Sequence, residues 1–218
     1  MSVVFTDTFT VAVNANIDAY PATPDYAYNN GSAGAIVVNA ANDRAQWVST
    51  VSTYKARIIN GAVPTGDQQI SADCAHDATY NSGGVAARLN AGGTDNGYFT
   101  YLEEDQANEC RLIRVDAGSE VLIDSFNAGY TGAATRAHTL KATGAGVTVT
   151  LEWSIGPSMS TRSYGDTDAN RKTSGPPGII GFNDSANIAT VDNVSVDDLA
   201  SGATVIPVFM NQYRQRHA

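Results

Sequence analysis

The chain has few cysteines: Cys74 and Cys110 are its only two in 218 residues. Two thiols separated by 35 intervening residues make no disulfide framework, and they read as free, buried side chains. Histidine is almost as scarce, and His76, His138 and His217 stand at no ligand spacing, which argues against a zinc site. Basic residues are few as well, 13 against 22 acids, for a formal net charge of −9. Such a surface repels phosphate backbones, so nucleic acid is not an expected partner. No stretch approaches the roughly 18 apolar residues that a membrane-spanning helix needs. Met1 to Asp7 carries neither a basic n-region nor an apolar h-region, so no secretory signal is expected. Nucleophile elbows, glycine-rich phosphate loops, internal repeats and a convincing 3.6-residue period are all missing.

What is present is a turn-rich, moderately apolar chain, with 43% hydrophobic residues, 16% charged residues and 20 glycines. A domain of this mass buries about 70% of its unfolded surface, enough for a core without staples. Period two dominates, most clearly in Val147-Thr148-Val149-Thr150-Leu151-Glu152-Trp153, where apolar residues take one face and Thr and Glu the other. Similar runs are expected as strands at 69–73, 85–89, 98–103, 110–115, 120–126, 138–142, 178–182 and 190–196. Turn signals separate them, among them Asn81-Ser82-Gly83-Gly84, Asp116-Ala117-Gly118 and Thr143-Gly144-Ala145-Gly146. Strands this close together leave no room for crossover helices, so the pattern predicts an all-β, two-sheet antiparallel sandwich over residues 1–199.

Composition shifts once, at Ala200-Ser201-Gly202-Ala203. The following tail holds two of the 13 basic residues and none of the 22 acids, so residues 1–199 carry −11 and the tail +2. Residues 200–218 are therefore expected to form an extended C-terminal arm. Ile206, Val208, Phe209 and Met210 would each gain roughly 1.5–3 kcal/mol on full burial, so this segment should dock on something. With Tyr213, Arg214 and Arg216 it is the expected partner-binding element, facing its own sandwich, a neighbouring copy or another protein of an assembly.

Read in order, Phe5-Thr6-Asp7-Thr8-Phe9, Gly84-Val85-Ala86-Ala87-Arg88, Gly97-Tyr98-Phe99-Thr100-Tyr101-Leu102, Arg111-Leu112-Ile113-Arg114-Val115, His138-Thr139-Leu140-Lys141, Gly178-Ile179-Ile180-Gly181-Phe182 and Thr190-Val191-Asp192-Asn193-Val194 resemble the concanavalin A-like, laminin-G-like jelly rolls. The resemblance implies two curved antiparallel sheets with the first and last strands side by side. It leaves function open, since the fold hosts glycosidases, lectins, adhesion modules and inert shells. The Phe-Thr-Asp-Thr-Phe opening and the Val205-Ile206-Pro207-Val208-Phe209-Met210 ending also resemble structural proteins of tailed-phage particles.

Glycosidases of this fold need two carboxyl groups about 5–5.5 Å apart on one face for a retaining mechanism. The nearest pattern is Glu103-Glu104-Asp105, which lacks the third acid of the family motif and runs at once into Gln106-Ala107-Asn108. It reads as solvated acids at a strand end, so no catalytic residue is expected. The family often holds a structural calcium ion near its terminal strands, and Asp192 aligns with that position, with Asp7 able to help only if the termini pair. Sugar binding needs an outward aromatic, for which Tyr101 and Tyr164 are the candidates. Tyr164 is read within a polar loop from Ser160 to Thr173, and Tyr20, Tyr26 and Tyr28 form a further aromatic patch. The reading is a non-enzymatic virion protein, a capsid decoration or fibre-type subunit that contacts other virion proteins and its own copies. A lectin-like carbohydrate-binding module is the alternative, and a glycoside hydrolase the third.

Overall fold

The structure, a computed structural model, describes residues 2–17, 20, 26–28, 36–48, 55–59, 66–76, 82–89, 96–103, 109–130, 134–182 and 189–199. Sixteen strands and no α-helix form among them. The period-two pattern explains why: β7 (Gln68–His76) and β13 (Val149–Ile155) alternate strictly between buried and half-buried residues, as strands with one face on a core must.

The strands make two antiparallel layers. The front layer runs β11 (Ser119–Asn127), β10 (Glu109–Asp116), β9 (Gly97–Glu103), β8 (Ser82–Ala87), β15 (Gly178–Phe182), β6 (Lys55–Ile59) and β3 (Tyr26–Tyr28). The back layer runs β14 (Arg162–Asp166), β13, β12 (Ala134–Thr143), β7 and β16 (Thr190–Asp198). Beyond it, β16 changes neighbour. Its first residues, Thr190 and Val191, pair with β5 (Arg44–Trp47), which continues to β4 (Ile36–Asn39) and β2 (Ala15–Asn16). Val194–Asp198 pairs instead with β1 (Ser2–Asp7), so the first and last described strands lie side by side. The change falls at a bulge after Asp192, where Asn193 takes a left-handed φ of 49°. A single bridging pair, His76 with Ser82, ties β7 to β8 and makes the two layers one continuous ribbon.

The core lies between the layers, with Ile70, Cys74, Leu140, Leu151 and Trp153 from the back meeting Val85, Tyr98, Cys110, Leu112 and Ile179 from the front. Both cysteines are free and buried. Alternate residues of the front layer form a second buried cluster, with Ala86, Phe99, Tyr101, Ile113 and Ile180 on its other face. Burial on both faces is why Gly97–Leu102 reads as an almost unbroken apolar run instead of an alternating one.

Two readings of the sequence need correction. Asn81-Ser82-Gly83-Gly84 was expected as a turn, yet Ser82–Gly84 opens strand β8. The glycines serve close approach: a Cβ on Gly83 would run into the Thr190 carbonyl, and one on Gly84 into the Thr100 carbonyl. Ser160 to Thr173 was expected as a loop, yet Arg162–Asp166 forms β14, an edge strand whose exposed residues carry no alternating signal. The turn reading at Asp116-Ala117-Gly118 holds in full: Ala117 and Gly118 have φ of 50° and 87° and close the β10–β11 hairpin as a two-residue turn of the I′ kind.

The core holds one polar joint. His76 Nε2 and His138 Nε2 lie 2.9 Å apart, His76 Nδ1 is 3.0 Å from Ser82 Oγ, and His138 Nδ1 is 3.1 Å from Thr100 Oγ1. Ser82 Oγ donates to the Gly83 carbonyl and accepts from Leu102 N–H, so it takes the His76 Nδ1 proton as acceptor. With one proton between the two Nε2 atoms, His76 Nε2 then accepts from His138 Nε2–H, and the Thr100 hydroxyl proton is shared between His138 Nδ1 and the Val85 carbonyl, 3.4 Å away. A polar chain thus crosses from β9 through β12 and β7 to β8.

Candidate functional site

At one end of the sandwich the segment 167–177, which joins β14 to β15, packs against the ends of β7, β8, β9 and β10. Arg114 anchors this region from the last turn of β10. Its Nη1 donates to both oxygens of Asp166, at 3.1 and 3.0 Å, and its Nε donates to both oxygens of Asp116, at 3.1 and 3.0 Å. Asp168 approaches Arg114 Nη2 at 3.4 Å. Tyr98 donates its hydroxyl to Asp166 Oδ2 at 2.7 Å and accepts from the Lys172 backbone N–H at 3.0 Å. Lys172 Nζ reaches Asp116 at 2.7 Å and Asn96 Oδ1 at 3.1 Å. A cation buried this deeply persists because carboxylates surround it.

The same contacts decide ionisation. Burial works to raise the Asp116 carboxyl, but hydrogen bonds from Arg114 and Lys172 outweigh it and hold the group below the usual carboxylate range. Asp168 is lowered first by the Asn170 backbone N–H and then by Arg114. Tyr98 is raised by burial and by its bond to Asp166. A hydrolase of this fold needs a carboxyl group kept protonated near neutrality, and these acids are biased the opposite way.

Two clefts flank the network. The smaller, about 230 Å³, opens between the edge strands β11 and β14 and is lined by Arg114, Val121, Leu122, Ile123, Tyr164, Asp166, Thr167 and Asp168. Tyr164 is 39% exposed and Leu122 54%, so an aromatic ring and an apolar side chain stand at the mouth of a polar recess. Further along the seam Asp124 holds the two edges together, accepting from Arg162 Nε and Nη2 at 2.7 and 2.8 Å and from Trp153 Nε1 at 3.1 Å. Burial raises the Asp124 carboxyl, yet these bonds leave it lowered. The larger cleft, about 500 Å³, lies across segment 167–177 and includes Arg88, Asn96, Arg171 and Lys172 in its wall.

The residues expected from sequence fare differently. Tyr164 sits at the smaller cleft. Tyr101 is 7% exposed, packed in the second apolar cluster with its hydroxyl accepting from Arg111 Nη1 at 3.4 Å, so it offers no outward platform. Its strand is covered on both faces, in keeping with the nearly unbroken apolar run of Gly97–Leu102. Glu103 closes β9, while Glu104 and Asp105 lie outside the described residues, as do Ile206, Val208, Phe209, Met210, Tyr213, Arg214 and Arg216. Tyr20 donates to Asp7 Oδ1 at 2.8 Å.

The terminal strands pair as the resemblance implied, but their acids do not fit a calcium site. Asp192 Oδ1 accepts from Asn193 N–H at 2.7 Å within its own bulge, and its carboxyl is raised by burial and by neighbouring Asp73 and Asp43. Asp7 Oδ1 serves Phe9 N–H and Tyr20, and its Oδ2 is buried without a hydrogen-bond partner. Among the described residues no group of three His, Cys, Asp or Glu side chains converges on one point.

Arg114, Tyr98 and Lys172 were not legible as site residues, since Arg114 and Asp166 stand 52 positions apart.

No family model matches the chain, and no curated protein matches its sequence. Solved structures do. A carbohydrate-binding module, CBM66 from Bacillus subtilis, superposes with a TM-score of 0.56 at 12% identity, over 71% of this chain and 86% of that one. A Bacillus licheniformis β-glucanase gives 0.53 at 9% identity, over 89% and 97%. The CBM2 module of the evolved Dit protein of Lactobacillus casei BL23 phage J-1 gives 0.51 at 12% identity, over 89% and 94%. At such identities the likeness is one of architecture, and the chain is a two-sheet antiparallel jelly-roll sandwich of the concanavalin A-like kind.

Proposed function

We propose that this chain is a non-enzymatic glycan-binding module of a phage virion protein, and that it engages sugar at the Tyr164 cleft. The observation that carries the reading is the cleft itself. An exposed tyrosine ring can stack on the apolar face of a pyranose, while Asp168, half exposed, and Thr167 offer acceptors and a donor to its hydroxyl groups. The Arg114 and Asp124 bridges hold both walls in place, so little ordering accompanies binding. Asp168, held ionised by the Asn170 N–H and by Arg114, favours binding over turnover. The phage context draws support from the fold shared with a phage Dit module, and from the apolar, basic segment 200–218 as an attachment arm.

Binding of purified polysaccharides, measured by calorimetry with wild type and Tyr164→Ala, tests the reading. Loss of the ring should weaken binding roughly tenfold, about 1.4 kcal/mol. Equal affinity of the two proteins for every glycan that binds removes Tyr164 from the account. If no glycan binds at all, the module reading itself fails.

A further inference from the structure

The larger cleft has a charge character at odds with the rest of the molecule. In a chain of net charge −9, the described residues that line it include Arg88, Arg171 and Lys172 and no carboxylate. Two of these cations are paired from behind the wall: Asp67 holds Arg88 Nη2 at 3.1 Å, and Asp116 holds Lys172 Nζ. Arg171 is different. Its Nε and Nη1 donate to the Gly146 and Asp168 backbone carbonyls, at 2.8 and 2.9 Å, so among the described residues its charge meets no carboxylate and its Nη2 has no partner. The hydroxyl groups of Thr173 and Ser174, next along the same wall, likewise have no hydrogen-bond partner among the described residues.

The wall is built to stay put. Arg88, buried with four of its five N–H groups engaged, donates to the Lys172, Gly144 and Gly66 carbonyls as well as to Asp67. Gln68 Nε2 holds the Gly175 carbonyl at 2.7 Å, and Leu89 N–H holds that of Pro176 at 2.9 Å. At Gly175, with φ of 129°, a Cβ would collide with the Leu89 carbonyl, so the segment runs tight against the end of β8. Unsatisfied donors on a rigid, positively lined wall are the requirements of an anion site.

We propose that this cleft binds the anionic group, carboxylate or phosphate, of an acidic glycan, with Arg171 supplying the charge and Arg171, Thr173 and Ser174 the donors. The inference rests on the glycan-binding reading and sharpens it, because the two clefts share segment 167–177 and one chain could lay a neutral ring on Tyr164 and its charged neighbour here. Arg171 is the residue to alter, since its side chain reaches only backbone carbonyls.

The full chain is assayed against polygalacturonate, a glycerol-phosphate polymer and a neutral β-glucan, at low and high salt, with Arg171→Gln, Arg171→Lys and Tyr164→Ala. In parallel, glucuronate and inorganic phosphate are titrated into ¹⁵N-labelled protein. An acidic polymer should bind, Arg171→Gln should weaken it roughly tenfold at low salt and Arg171→Lys should recover part of the loss. Whichever of glucuronate and phosphate shifts the amides of residues 171–175 identifies the anion. Unchanged affinity of Arg171→Gln for the acidic polymers overturns the inference. So does binding confined to the neutral glucan, which leaves the glycan reading standing. If no polymer binds but a small anion shifts these amides, the anion site stands and the glycan reading falls. Absence of both overturns this proposal outright.

Discussion

Acid should unfold this protein through its buried histidine pair. His76 and His138 are 3% and 0% exposed, and their facing Nε2 atoms have room for one proton between them. Burial, then His138 and the Arg136 guanidinium, push His76 well below its ordinary value. Burial, then Arg136, push His138 down to about 3 against a smaller opposing effect from Thr100. Both stay neutral in the folded state while the unfolded chain takes up protons below about pH 6.5. The folded values being depressed, the unfolded state binds more protons throughout that window, and stability falls with falling pH at about 1.4 kcal/mol per unit per histidine. From pH 8 to pH 5 each histidine costs about 2 kcal/mol, so the pair removes about 4 kcal/mol from a total of roughly 5–15. The carboxylates that the fold lowers, Asp116, Asp124 and Asp168, act the same way only further down, because unfolded aspartate takes up protons near pH 4. Urea unfolding at pH 8, 6 and 5 measures the slope directly, and His138→Gln should halve it. A stability unchanged between pH 8 and 5, or ring signals of His76 or His138 that titrate near pH 6.5 in the folded protein, would refute the reasoning.

Three further outcomes follow from particular contacts. Asp166→Ala removes one partner of a buried cation and the acceptor of the Tyr98 hydroxyl, and should lower the unfolding free energy by roughly 3 kcal/mol in urea. A loss under about 1 kcal/mol would mean that Asp116 and Asp168 carry Arg114 alone. Gly84→Ala drives a methyl group into the Thr100 carbonyl of the neighbouring strand, so it should express poorly or melt well below wild type. A melting point within a degree of wild type would contradict that packing. Truncation after Leu199 should leave a folded, soluble domain that no longer assembles, as judged by light scattering; an unfolded product would make the arm part of its own sandwich.

The sequence by itself carried the architecture. Alternating runs such as β7 and β13, apolar runs such as β9, short turn signals and the missing 3.6-residue period place β7 through β13, β15 and β16 within a few residues of where they lie. It missed β2 to β6 and β14, which are short or exposed and take their form from strands already in place. It offered Tyr164 from a polar segment and Tyr101 from a strand, and the structure leaves the first half exposed and buries the second. Only the tertiary structure decided the rest. Arg114 meets Asp166, Arg88 meets Asp67 and His76 meets His138 across 52, 21 and 62 positions, and each pairing exists because strand pairing and layer packing bring distant segments together. The charge of the whole chain is negative by composition, while the one cleft cation without a carboxylate among the described residues, Arg171, is set by the fold against the Gly146 and Asp168 carbonyls.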